Sequence, residues 1–238
     1  MEDSKDVMWD WSGNNLRVKV LFSSAGLATQ ILVNNIEKDS NLLIDVGDGI
    51  LRDLVTLPGK YYENIDIILI THGHFDHVGG LFSLLAFFRM INRSKKLLLI
   101  SPSNVVELEG LVKTFFESYG DSIPFELELI TIEKDFEIDD ILISAFPVQH
   151  RGSIIGGKKL PDIPSVGYII NKNTERILYT GDTGYFEQLK EYAKDVDYAL
   201  IEGTYKDKKT KFHLTHSEAE EIGKLAKHYQ IIHQIMSR

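Results

Sequence analysis

Cysteine is absent from all 238 residues, which removes disulfide bonds, thiolate nucleophiles and thiolate-bound zinc together. Any metal ion must then be held by nitrogen and oxygen. Positive charge is also scarce: 26 Lys and Arg face 35 Asp and Glu, a net charge of −9, so no global positive field draws a polyanion such as nucleic acid to the surface. Local lysines in Gly156-Gly-Lys-Lys159 and Lys206-Asp-Lys-Lys-Thr-Lys211 offer a basic rim at most, and solvated loop is the plainer reading of both. No apolar run approaches the ~18–20 residues of a membrane span, and Met1-Glu-Asp-Ser-Lys-Asp6 lacks the charge pattern and apolar core of a signal peptide. The cytoplasm is the expected location. Internal repeats and low-complexity segments are missing, and the 43% hydrophobic content is spread along the chain, so one domain over residues 1–238 is expected.

What is present is an alternation of short Ile-, Leu- and Val-rich runs with longer segments of helical period. Strands are expected over residues 17–23, 29–33, 42–45, 65–70, 97–100, 126–132, 141–148, 166–171, 176–180, 198–202 and 231–232. Helices are expected over 50–57, 78–92, 103–119 with Ser103 as cap, 185–193 and 217–229. The pattern predicts an α/β fold. His72, His150, Asp182, Glu202 and His233 each fall at or just beyond the C-terminal end of an expected strand, where α/β architectures gather functional groups.

The densest feature is Thr71-His-Gly-His-Phe-Asp-His77, with three of the chain's eight histidines and an aspartate inside six residues. In extended backbone alternate side chains share a face, so His72 and His74 can bind one ion while Asp76 and His77 turn toward a second. Imidazole nitrogen and carboxylate oxygen suit Zn²⁺, and also Mn²⁺ or Fe. Four ligands do not complete two sites, so further ligands are expected downstream. His150 and Asp182 are placed to serve. Gly79 and Gly80 read as structural, letting the loop pack against the following helix.

This stretch resembles the His-x-His-x-Asp-His signature of the metallo-β-lactamase superfamily, and the resemblance runs over nearly the whole chain. It implies a four-layered αβ/βα sandwich and two divalent ions, Zn²⁺ foremost. It also implies His72, His74 and His150 as ligands of the first ion, Asp76 and His77 as ligands of the second, and Asp182 as a bridge. His233 would complete the second site. There the family usually shows Leu-Thr-His, whereas Ile231-Ile-His-Gln-Ile-Met-Ser-Arg238 has a shifted spacing, and an exposed terminal histidine is the other reading.

Ile201-Glu-Gly-Thr-Tyr205 with Phe212-His-Leu-Thr215 resembles the Glu-Ala-Thr and His-Leu/Ser-Thr pair of the RNase Z-like branch, which hydrolyses phosphodiesters. Asp45-Val-Gly-Asp-Gly49 with Arg52 is similar to that branch's Asp-Cys-Gly-Glu-Gly, and Pro164-Ser-Val-Gly-Tyr168 to its Pro-Ser-x-Gly-Tyr. The implied enzyme is a metal-dependent phosphodiesterase using a metal-bound hydroxide. Asp76 then counts as catalytic as well as ligand, His213 is the general acid and Glu202 its orienting partner. His216 reads as a helix-start residue. RNase Z enzymes that process transfer RNA carry a long exosite arm where only seventeen residues separate His150 from Tyr168 here, which points to a smaller substrate.

The expected partner is a phosphodiester or other small ester. Nucleic acid is allowed but not favoured by the charge, no membrane is expected, and a homodimer is admissible. Two alternatives stay open: hydrolysis of a lactone, thioester or other acyl bond in the same fold, and a non-catalytic RNA-binding module.

Overall fold

The apolar runs become strands because almost every residue in them is buried on both faces, as in Ile65–Leu69 and Leu97–Ser101. The computed structural model describes residues 7–133, 135–150, 154–155, 158–159 and 163–236. It divides into two compact units. One comprises the chain up to Ile70 with His74–Ser101 and Val106–Thr131; the other comprises Thr71–Gly73, Pro102–Val105 and the chain from Ile132 on.

The first unit is built on a seven-stranded sheet in the order β1 (Trp11–Ser12), β2 (Leu16–Ser24), β3 (Ala28–Asn35), β4 (Ser40–Val46), β5 (Ile65–Leu69), β6 (Leu97–Ser101) and β7 (Leu127–Thr131). Pairing is antiparallel from β1 to β4 and parallel from β4 to β7. The unit's helices are α1 (Ile50–Val55), α2 (Phe75–Val78), α3 (Leu81–Met90) and α4 (Val106–Tyr119). Helix α3 buries Leu81, Leu84, Leu85 and Phe88, an i, i+3, i+4, i+7 spacing, and α4 buries Leu108, Val112 and Phe115 at i, i+4 and i+7. Their aromatic residues interlock, Phe88 edge-on to Phe125 and Phe115 stacked on Phe125.

The second unit carries a six-stranded sheet formed by β8 (Phe136–Ile138), β9 (Ile141–Pro147), β12 (Val166–Lys172), β13 (Glu175–Tyr179), β14 (Tyr198–Glu202) and β15 (Tyr229–Ile232), in the order β15-β14-β13-β12-β9-β8. A two-stranded ribbon, β10 (Ile154–Ile155) with β11 (Lys158–Lys159), stands apart from it. Helices α5 (Gln188–Ala193) and α6 (His216–Gly223) belong to this unit, and its core gathers Phe146, Ile169, Leu178, Leu189, Ile201 and Ile222. Since β12 runs antiparallel to both β9 and β13, while β14 and β15 run parallel to β13, four strands end at the same edge of the sheet. Those four ends lead to His150, Asp182, Glu202 and His233.

Some expected helices are redrawn by tertiary contacts. The helix expected over 78–92 starts at Phe75 and breaks at Gly79 and Gly80, where Gly80 N–H donates to Val46 O (2.8 Å). A Cβ on Gly80 would overlap the Gly47 carbonyl, so only glycine lets the chain press onto the end of β4. Helix α4 begins at Val106 and not at 103, because Asn104 takes a left-handed φ of 59° that a right-handed helix excludes. Helix α6 stops at Gly223 because the following backbone is captured by the neighbourhood of β14: Lys227 N–H donates to Val196 O and Ala199 N–H to His228 O, both at 2.9 Å. The expected helix over 185–193 narrows to α5, and β1 and β8 were not expected from the pattern. The basic run at Gly156 and Gly157 and most of the short stretch after His150 lie outside the described residues, as do residues 1–6 and 237–238.

Candidate metal centre

The Thr71–His77 motif crosses from one unit to the other: Thr71–Gly73 belong to the second, His74 onward to the first. In the second unit, Val166 N–H, from the Pro-Ser-Val-Gly-Tyr segment, donates to Thr71 O (3.1 Å) and anchors the start of the motif on β12. His72, His150 and Asp182 each present a ligand atom within 4.8 Å of the others, and all three are buried. Asp182 Oδ2 is the focus. It lies 3.2 Å from His233 Nε2, 3.9 Å from His72 Nε2, 4.0 Å from His150 Nε2 and 3.9 Å from His213 Nδ1. Distances near 4 Å are too long for hydrogen bonds, yet each is within the span of two metal–ligand bonds of about 2.0–2.2 Å.

His233 is 1% exposed at the end of β15, not an exposed terminal side chain. Its φ of 55° is left-handed, a conformation that non-glycine residues adopt mainly where the surroundings impose it. Its ring is near-parallel to that of His213, at 14° and 6.2 Å between centroids.

In the first unit Asp76 and His77 are buried on α2, with His77 Nε2 3.9 Å from Asp76 Oδ2. His74, half-buried, is the residue before that helix. Asp76 Oδ2 also accepts a hydrogen bond from Gly26 N–H (2.8 Å) in the β2–β3 turn. His77 Nδ1 is 2.7 Å from Asp45 Oδ2, both fully buried.

The donor chemistry fits divalent ions. His77 Nδ1 is held by Asp45, His150 Nδ1 by the Phe212 carbonyl (3.2 Å), and His72 Nδ1 by Thr71 Oγ1 (3.0 Å), so Nε2 is the ring atom each would present to an ion. Such outer contacts orient ligating imidazoles. Sequence reasoning did not assign Asp45, Thr71 or the Phe212 carbonyl. Asp45 was visible only as part of a motif segment, and its signal was a carboxylate at a strand end beside two glycines.

Glu202, the last residue of β14, is fully buried and densely satisfied. Oε1 accepts from Thr183 N–H (3.0 Å) and Leu214 N–H (3.2 Å); Oε2 accepts from Thr204 N–H (2.9 Å) and Thr204 Oγ1 (2.8 Å). His213 Nδ1 approaches Oε1 at 3.0 Å. A carboxylate accepting this many donors acts only as an acceptor, which assigns the Nδ1 proton to His213. The expected His213–Glu202 pair is therefore present as a contact. His216 is the first residue of α6, as expected, preceded by Thr215 in a capping box with Glu218.

A family model described as a beta-lactamase superfamily domain matches residues 40–236. Ribonuclease Z of Lachnoclostridium phytofermentans is 25% identical, over 79% of this chain and 75% of that protein. In structure the chain is similar to the metallo-beta-lactamase fold protein YhfI from Bacillus subtilis, with a TM-score of 0.74, 18% identity and coverage of 94% of this chain and 89% of that one. It is likewise similar to the short form of human tRNase Z, with a TM-score of 0.76, 21% identity and 92% of each chain covered. The fold is the metallo-β-lactamase fold that the motif led us to expect.

Proposed function

Because the chain belongs to the beta-lactamase superfamily and is a hydrolase of RNase Z-like kind, we propose that it is a dinuclear metal-dependent phosphodiesterase acting on small substrates. His72, His74 and His150 would hold one ion, Asp76, His77 and His233 the other, and Asp182 would bridge them. Motif order supports this assignment, as does the presentation of Nε2 by His72, His77 and His150. Bound divalent ions, Zn²⁺ foremost, supply Lewis acidity toward a phosphoryl oxygen and make water acidic enough to act as a nucleophile near neutral pH.

The observation that carries the phosphodiester reading is the Glu202–His213 contact at 3.0 Å, with Asp182 3.9 Å from the same His213 nitrogen. An alkoxide leaving from phosphorus needs a proton. Nδ1–H bound to the buried Glu202 carboxylate fixes the ring and stabilises its cationic form, and Nε2–H is the proton to deliver. The His213 side chain is partly exposed, as a group that meets a substrate must be. The net charge of −9 supports a small substrate over a folded RNA, as does the short distance from His150 to Tyr168.

Leaving-group dependence tests the role. His213→Ala is expected to slow hydrolysis of a dinucleotide, which expels an alkoxide, by ~10²–10⁴-fold. Bis(p-nitrophenyl) phosphate, whose leaving group needs little protonation, should lose far less, and the metal content should stay at two ions. An equal loss on both substrates would overturn the acid role; a lost ion would make His213 a ligand.

A further inference from the structure

A cavity of about 750 Å³ opens in the second unit with His150 in its wall, and the chemistry above does not say what fills it. Three loops wall it. Val148 and Gln149 precede His150, Tyr185 follows Asp182 by three positions, and Lys211 and Phe212 lead into His213. Hydrogen bonds lock the loops together: Gly184 N–H donates to Gln149 O (2.8 Å), and the His150 side chain donates from Nδ1–H to Phe212 O (3.2 Å). Gly184 packs so tightly on the next loop that a Cβ there would overlap the Lys211 carbonyl. A molecule in the cavity therefore sits against the same three loops that carry the proposed chemistry.

The walls say what that molecule is. Tyr185 and Phe212 are half-buried and offer aromatic surface. Among the described residues no carboxylate lines the cavity, although acidic residues outnumber basic ones in this chain by 35 to 26. Among the described residues Lys211 is the one lysine or arginine in the lining, and none of them forms an ion pair with it. Its neighbours are engaged: Lys209 Nζ lies 3.5 Å from Glu218, and Lys208 lies over the Tyr205 ring at 5.2 Å. The Thr210 hydroxyl is committed to its own loop, donating to His213 O (3.1 Å) and accepting from His213 N–H (3.0 Å). An ammonium of this kind suits a phosphate as a point charge. The volume lies within the ~300–1,000 Å³ of small-molecule sites, room for a nucleotide and far too little for a folded RNA.

Resting on the phosphodiesterase reading, we propose that this cavity receives the leaving side of the substrate: a nucleotide whose base packs against Tyr185 and Phe212 and whose own phosphate pairs with Lys211. The leaving side follows from His213, which hands its proton to the departing oxygen directly after Lys211 and Phe212 in the chain. The enzyme then prefers oligonucleotide ends bearing a terminal phosphate.

The test uses the zinc-loaded full chain and three dinucleotides, ApA, pApA and ApAp. For the wild type, one phosphorylated dinucleotide should exceed ApA in kcat/KM by about tenfold. Lys211→Ala should bring that ratio below about twofold, Lys211→Arg should keep most of it, and Lys113→Ala on α4 should not change it. A wild type without preference, or a preference that survives Lys211→Ala, overturns the proposal. If no phosphodiester is cleaved at all, the reaction reading fails by itself, and AMP binding followed by NMR titration then judges the cavity. A Kd weakened about tenfold by Lys211→Ala upholds the site, and an unchanged Kd removes it.

Discussion

At His77 one hydrogen bond decides which ring nitrogen is available. Asp45 Oδ2, 2.7 Å from Nδ1 and fully buried, keeps the proton there and leaves Nε2 as the donor atom. Asp45 holds a left-handed φ of 56°, which Asp and Asn both tolerate, so Asp45→Asn removes the charge without disturbing the backbone. We expect zinc affinity to fall by about 10–100-fold, read by competition with a chromophoric chelator, while far-UV circular dichroism is unchanged. Unchanged affinity would show that His77 needs no such anchor. The residues of Thr71–His77 were legible because their density has no bland explanation, and His150, Asp182 and His233 because each follows a strand. Their anchors were not. Asp45 meets His77 only once β4 and β5 pair in parallel, and the partner of His150 is a backbone carbonyl, which residue type does not disclose.

At the scale of elements, Thr215 and Glu218 show how a helix start is secured next to the site. Thr215 Oγ1 accepts from Glu218 N–H (3.3 Å) and donates to Glu218 Oε2 (2.8 Å), while Thr215 N–H donates to the same oxygen (2.9 Å). Thr215→Ala should cost about 1 kcal/mol, measured by chemical denaturation. Burial works against the Glu218 carboxylate, but the donors from Thr215 and the nearby Lys209 outweigh it and hold its pKa below the ordinary value. The stability this contributes is present above the unfolded pKa of ~4.3 and is lost as pH falls through the lower folded value. The gap in stability between wild type and Glu218→Gln should therefore be widest near pH 7 and close toward pH 3; a gap independent of pH would contradict the capping role. Strands were readable as apolar runs since burial on both faces demands them. The break at Gly79 and Gly80 and the early end of α6 were not, because each is set by a backbone contact with a distant strand that outcompetes helical period.

For the whole molecule, ion binding is linked to stability. An ion that binds the native chain at 100 times its Kd adds ~2.7 kcal/mol. In a protein of this size that raises the unfolding midpoint by roughly 5–10 °C. Scanning calorimetry of protein stripped with a chelator, then restored with Zn²⁺, should recover such a shift, and identical midpoints would remove the metal reading. Among the described residues no helix is long and apolar enough to cross a membrane. The contact between Gly184 and the Lys211 carbonyl also bears on how such a hydrolase can be retargeted. Lengthening either loop would have to pry apart the backbones that carry Asp182 and His213, so insertions there would erode the chemistry. Exchanging the side chains at 185, 211 and 212 would not, and directed evolution of substrate choice should concentrate its accepted changes at those three positions.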